Sequence, residues 1–390
     1  MRKGLTRLAA SAMSVCLLAS AAPAAIFAQA LAYPGDAAMK SEGCQYTPAR
    51  GGSRPWVSIS WDKVNRKIWM VDKSTKIRVI KGDWTSYRGM PGTEYARPSS
   101  DKTPLNQQPN WDKNAEMMHN VEKVYSFYKN TLGHTNFNFA GGSDQNIYVY
   151  SFPNPGDARA HVIDDVGSQQ PNKLNWLAFG DAGTYTYSMG SDLGAVGHEF
   201  THLVSYQKLG WLPGMNTETD ALMEAYSDIL GELCETNPDW KVAGDAFKGN
   251  TATNKQYSYR DLANPGATND PLHGYSPNYD NYYSFKYNRA WLENNHPYTV
   301  APCYSGCTVV GHAAYLMYNS GIPKNDLAKI WYNSMNCYTV SDTKNATFSD
   351  CRKAVVQAAK YYYGTWTQEA RNKVQKIENA FNEVCIYNWN

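Results

Sequence analysis

The chain has 390 residues, 43% hydrophobic and 18% charged, with 29 tyrosines and a formal net charge of +2. That is enough chain for one large core or two lobes, and the composition is globular rather than disordered. With so small a net charge there is no basic field of the kind nucleic-acid binders carry, so no nucleic-acid partner is expected.

Residues 1–30 stand apart. Arg2, Lys3 and Arg7 precede an apolar run from Leu8 to Phe27, closed by Ala28-Gln29-Ala30, a small-x-small cleavage pattern. This reads as a secretory signal peptide and predicts a secreted, extracellular protein with no membrane association after cleavage. No other apolar segment is long enough to span a bilayer. Losing those three cations leaves 34 basic against 35 acidic residues, a net charge of −1. Seven cysteines remain after Cys16 departs. An exported chain can keep disulfides, and Cys303/Cys307 and Cys337/Cys351 are the expected local pairs. Cys44 with Cys385 is a third expectation, leaving Cys234 as the free thiol. There is no CxxC, which argues against a redox site.

Residues 31–55 read as a linker, loose arm or short pro-segment, rich in turn formers and poor in periodicity. Alternation over Trp56–Ile80 predicts strands joined by turns. Residues 91–110 read as loop. Apolar spacing over Ala115–Lys129 predicts a helix, and Ile147–Phe152, Trp176–Phe179 and Thr184–Met189 predict strands. After Gly190 the period becomes helical. Ser191 or Asp192 can cap a helix that Gly210 closes, and Asp220–Glu235 predicts a second. Residues 250–305 read mostly as loops. Helices are predicted over Val309–Asn319, Pro323–Met335, Phe348–Tyr362 and Thr367–Val384. The sum is an α+β fold, with a β-rich lobe over residues 56–210 and a helical lobe over 211–390. No internal repeat is visible.

The stretch VGHEFTHLV, Val196–Val204, carries the chemistry. His198 and His202 are four apart and share a helix face, so both imidazoles can bind one metal ion. Glu199 lies about 100° around the same turn, suited to taking a proton from metal-bound water rather than to ligation. This is the HExxH arrangement of zinc hydrolases. Its apolar flanks predict burial, where unpaired histidines are costly. A catalytic zinc needs a third protein ligand and an open position. ALMEAYSDILGEL offers Glu224 for the ligand and Asp228, one turn on, to hold the outer N–H of a ligating histidine.

These segments resemble the thermolysin-like zinc metallopeptidases. VGHEFTHLV resembles the family's zinc helix and MEAYSDI its Glu-x-x-x-Asp helix. FGDAG, YRDLANP, HAAYLM and KIENAFNEV resemble further family segments in the same order, from about Trp56 to the end. The resemblance implies a two-lobed fold with the zinc site between the lobes. It implies one Zn²⁺ held by His198, His202 and Glu224, with Glu199 as general base. Asp228 would support a ligand, and Arg260 would hydrogen-bond a substrate carbonyl. The implied activity is endopeptidase cleavage of proteins or peptides, bound extended in the cleft against an edge strand, by a chain expected to be a monomer. A bulky apolar residue after the cleaved bond is the usual family preference.

The sequence also departs from the family. Counting back from HAAYLM, the expected oxyanion-stabilising histidine is replaced by Tyr304, whose O–H can donate; His296 is the alternative donor. The loop GWLPGMNTETD lacks the family's tyrosine. Met223 stands where an asparagine precedes the third ligand, and Gln169-Gln170 replace an Asn-Ala edge-strand pair. Glu235 and Asp239 match calcium ligands, with Asp245 a possible helper. Gly194 and Gly244 stand where further carboxylates are expected, so at most one Ca²⁺ is predicted. Family members usually carry a long propeptide, whereas residues 31–55 are all that separate the expected signal from the first predicted strand. These departures motivate a second reading, a zinc-binding but catalytically weak relative acting as an extracellular peptide-binding or structural protein.

Overall fold

The computed structural model describes residues 39–388 apart from 52, 54, 63–66, 82–92, 95, 99–110, 140, 142–144, 153–155, 157, 164–173, 213, 215–216, 252–253, 255, 271–277 and 296–301. Gln169, Gln170 and His296 therefore lie outside the described residues, as does the segment read as a signal peptide.

Among the described residues the front half holds ten strands and one α-helix, which ends in a π-helical turn over Phe127–Thr131. In chain order they are β1 (Met39–Gln45), β2 (Trp56–Asp62), β3 (Lys67–Trp69), β4 (Val71–Asp72), β5 (Ile77–Lys81), β6 (Thr93–Glu94) and β7 (Ala96–Pro98), then α1 (Trp111–Ser126), β8 (Ile147–Phe152), β9 (Ala158–Ile163) and β10 (Leu174–Gly180). One sheet has the order β1-β2-β3-β7; the other runs β4-β5-β8-β10-β9, with β6 on β5. β5, β8 and β10 are parallel. β9 is antiparallel to β10 at the sheet's end and packs against the next helix, α2 (Leu193–Leu209).

Three expectations differ here. MKSEGCQ, within the supposed linker, is strand β1, paired with β2 along its whole length. It lacks an apolar alternation, so only the partner strand defines it. β6 and β7 fall inside the stretch read as loop. Thr184–Met189 is not a strand: Thr186 makes an isolated bridge to Phe247, and Met189–Ser191 is a 3-10 turn.

The back half is helical. α3 (Thr217–Cys234) follows α2; β11 (Lys241–Val242) pairs with β12 (Arg260–Asp261); then come α4 (Tyr282–Asn295), α5 (Pro302–Asn319), α6 (Lys324–Ser334), α7 (Phe348–Tyr363) and α8 (Gln368–Glu383). α4 lies in a region read as loops. Its tyrosines and asparagines mask the apolar spacing, but Tyr282 and Phe285 are buried against Phe348. α5 begins seven residues before the expected Val309. Pro302 stands at its first position, where the missing N–H leaves no helical hydrogen bond unmade.

The cysteine pairing is corrected. All seven described cysteines are free thiols. Cys303 and Cys307 are four apart on α5, where Cβ atoms stand about 5–6 Å from each other. A disulfide needs about 3.5–4.5 Å. Cys337 Sγ turns to the Asn333 carbonyl at 3.6 Å, while buried Cys351 lies 3.9 Å from the Tyr226 hydroxyl. Cys44 sits on β1, and Cys385 follows α8.

The core fixes α2 and α3 against each other. Phe200 stacks on Tyr128, whose hydroxyl meets Thr201 at 2.7 Å, anchoring α2 to the turn after α1. Tyr226 on α3 bonds Ser334 at 2.7 Å and packs edge-on to Trp331. The two helices touch backbone to backbone. A Cβ at Gly231 would lie 2.6 Å from the Gly194 carbonyl oxygen, and one at Gly197 only 2.9 Å from the Gly231 Cα. Glycine at this crossing lets the side chains one turn away converge.

Candidate metal centre

α2 starts where Asp192 accepts from the Ala195 N–H at 2.7 Å, and ends at Gly210 in the left-handed conformation (φ 66°). The helix is buried along most of its length, so His198, Glu199 and His202 face protein rather than bulk water. The predicted i, i+4 relation holds: the His198 and His202 Nε2 atoms are 3.0 Å apart. α3 supplies Glu224, one carboxylate oxygen 3.4 Å from His198 Nε2 and the other 3.7 Å from His202 Nε2. Among the described residues, this trio is the group of His, Cys, Asp or Glu side chains that could hold a metal ion. The donors also fit zinc. Tetrahedral bonds of about 2.0–2.1 Å put ligand atoms about 3.3–3.4 Å apart, within the 3.0–3.7 Å spread observed.

The outer atoms of the two histidines are held as well. His198 Nδ1 meets Asp228 Oδ1 at 2.8 Å. Arg260, carried in by β12, donates Nε–H and Nη2–H to the two Asp228 oxygens at 2.6 Å each. Cys307 Sγ approaches the same carboxylate at 3.6 Å. His202 Nδ1 meets the Ser227 hydroxyl at 3.1 Å. Reading the sequence missed both Ser227 and Cys307. Ser227 was findable, since positions 224, 227 and 228 share one face of a helix.

The charges follow from this packing. Burial disfavours the Asp228 carboxylate, but Arg260 and His198 outweigh it and hold its pKa down at about 2. Burial opposes a charged His198 too, yet the hydrogen bonds to Asp228 and Glu224 raise it to about 10. His202, buried beside His198, is pushed down to about 4, with Glu224 opposing. Burial works against Glu224 ionisation, but the two histidines draw its pKa below the ordinary value. Glu199 is buried on α2, and its field reaches both His198 and Tyr304.

Tyr304 lies in the first turn of α5, not in a loop. Its ring sits 5.6 Å from the Arg260 guanidinium. The tyrosine is 43% exposed, and the Glu224 carboxylate raises its pKa well above the ordinary value. Arg260 is buried and wholly part of this cluster rather than a surface residue.

The residues considered for calcium are placed differently. Glu235 follows α3, and its carboxylate lies against Gly194, 2.8 Å from where a Cβ would stand. Lys324 sends its ammonium to the Glu235 and Thr236 carbonyls. Asp239 accepts from the Lys241 N–H at 2.9 Å, and Asp245 pairs with Arg50. Among the described residues Glu235 and Asp239 do not join a third ligand in a metal-holding group.

Residues 215–386 match the family model described as thermolysin metallopeptidase, alpha-helical domain. The chain is similar to bacillolysin of Bacillus caldolyticus, 29% identical over 278 residues, covering 68% of this chain and 44% of that protein. It is also similar to neutral protease NprE of Bacillus pumilus, 23% identical over 347 residues, covering 87% of this chain and 98% of that protein. The chain spans less than half the length of that bacillolysin and of the thermolysins it also matches. Among solved structures, the precursor of protealysin, a metalloproteinase from Serratia proteamaculans, superposes with a TM-score of 0.57 at 17% identity, covering 80% of this chain and 87% of the other. At that identity the likeness establishes the fold alone. No helix among the described residues is long and apolar enough to cross a membrane.

Proposed function

This chain is a member of the thermolysin-like metallopeptidase family, two-lobed and α+β, and from that premise we propose that it is a zinc endopeptidase acting on proteins or peptides. The observation that carries the reading is the convergence of His198, His202 and Glu224, with donor atoms 3.0–3.7 Å apart, from two helices in glycine contact. A zinc ion held there would supply Lewis acidity, polarising the scissile carbonyl and acidifying water.

The chain's own residues do the rest. Glu199 takes the proton of the attacking water and delivers it to the leaving amine. Tyr304 keeps its proton at neutral pH under the field of Glu224, so its O–H donates to the developing oxyanion. Asp228 holds the Nδ1 proton of His198 and leaves Nε2 free to ligate. Arg260 spends two of its five N–H donors on Asp228, and the others serve a substrate carbonyl. β9, at the end of its sheet and against α2, is the edge on which an extended substrate would add as a strand. The lobes would divide near Gly210, with residues 1–30 directing export.

The second reading, a zinc-binding relative with little turnover, is favoured by one observation. The loop after α2 carries no tyrosine, so oxyanion donation falls on Tyr304 alone in this proposal. One experiment separates the two. The purified chain is assayed for zinc and for hydrolysis of casein and a quenched peptide, beside Glu199→Gln. Zinc at one per chain, with turnover lost in the variant, is the expected result. Zinc without turnover in either protein gives the second reading, and absence of zinc overturns both.

A further inference from the structure

We propose that Ser227 is the positioning residue for His202, its hydroxyl orienting the ring and, as acceptor of the Nδ1 proton, leaving Nε2 for the metal. The inference rests on the zinc reading above.

The two ligand imidazoles are held by unlike partners. His198 leans on a carboxylate that is itself clamped by two Arg260 N–H groups. His202 leans on a neutral hydroxyl, Ser227 Oγ, at 3.1 Å. Ser227 is fully buried, so no bulk solvent competes for the contact. Met223, one turn earlier on α3, offers only a thioether, a weak acceptor. Glu224, Ser227 and Asp228, at positions i, i+3 and i+4, thus give one helix face three tasks: ligation, orientation of His202 and orientation of His198.

A hydroxyl differs from a carboxylate in a way that matters here. It can donate or accept. When Ser227 accepts, His202 carries its proton on Nδ1, and Nε2 presents a lone pair toward Glu224 and His198. When Ser227 donates, the proton sits on Nε2 and ligation is blocked. The ionised Asp228 can only accept, so His198 faces no such choice. His202 is therefore the adjustable ligand, and its metal-ready form depends on a hydrogen bond to a single rotor. Removing the hydroxyl leaves a buried ring N–H without its acceptor and the ring free to turn.

The test uses the full chain. Zinc content is measured first, then zinc affinity by competition with a chelator of known strength, for wild type, Ser227→Ala, Ser227→Thr and Ser227→Val. Loss of a group that orients a metal ligand typically weakens affinity about 10–100-fold. That loss is expected for the Ala and Val variants, with the Thr variant within about threefold of wild type by the same measure. Thr and Val match in volume and differ by the hydroxyl, so this pair decides the matter even if the Ala variant does not fold. At saturating zinc, kcat should fall in the Val variant with KM for the peptide unchanged. Equal zinc affinity in the Thr and Val variants overturns the inference. A wild-type chain that binds no zinc overturns the reading beneath it, and that result appears before any variant is compared.

Discussion

Buried acids behave in opposite ways in two regions of this molecule. At the candidate metal centre Asp228 is held down at about 2, because Arg260 and His198 overcome the penalty of burial. On α1, under the hairpin of β1 and β2, burial dominates. Glu116 is pushed up to about 7 and Glu122 to about 8, the latter further raised by Asp72. Glu116 accepts the Ala49 N–H at 3.0 Å and Asp112 accepts the Thr47 N–H at 3.0 Å, so this face grips the hairpin through hydrogen bonds. The lesson is that burial by itself favours the neutral acid, whereas a buried cation in contact preserves the anion. The first arrangement suits docking, and the second suits holding a metal ligand in place.

The comparison can be broken most severely on the metal side. Glu199→Gln removes the proposed base while keeping its shape, and kcat is expected to fall about 10²–10⁴-fold with zinc still at one per chain. A steady-state peptide assay with metal analysis checks both halves. Tyr304→Phe removes the proposed oxyanion donor, with kcat expected to drop about 10²–10³-fold and KM little changed. An unchanged kcat/KM would show that another group does this work. Asp228→Asn strips the charge that Arg260 and His198 share. Zinc affinity should weaken about 10–100-fold, and stability should fall about 3–5 kcal/mol, because buried Arg260 loses its counterion. Chelator competition and denaturant unfolding read these separately.

The smallest effect sharpens the comparison from the α1 side. An acid whose pKa is higher folded than unfolded binds its proton more tightly in the native state. The stability contributed by Glu122 is therefore complete below its ordinary 4.5 and is lost as pH rises toward about 8. Glu116 behaves likewise toward about 7. His119 and buried His134, both pushed down to about 4 by burial, act in the other direction, losing stability as pH falls below 6.5. Thermal melts from pH 5 to 9 should show an alkaline decline that Glu122→Gln reduces. If wild type and variant decline in parallel, the carboxyl at 122 is not its source.

Much of this was legible in the sequence because the signals were local. The i, i+4 spacing of His198 and His202 survives any tertiary context, as does the cap-to-glycine frame from Asp192 to Gly210. The C-terminal helices α6, α7 and α8 matched within one or two residues because their apolar periods are strong. What failed had no local signal. β1 exists because β2 pairs with it. α4 and the start of α5 hid in a tyrosine-rich stretch whose apolar face shows only against Phe348. The cysteine pairs were inferred from nearness in sequence, and a helix keeps positions 303 and 307 too far apart.

Helical periodicity in the chain alone determined that two imidazoles share one face of α2, and that Glu224 and Asp228 share one face of α3. It did not determine that those faces meet. That was decided by the crossing at Gly194, Gly197 and Gly231, where missing Cβ atoms bring two backbones into contact. Nor did it determine the charges. Arg260 arrives from 32 residues beyond Asp228, and a titration behaviour set by such a neighbour exists only once the fold has removed the water between them.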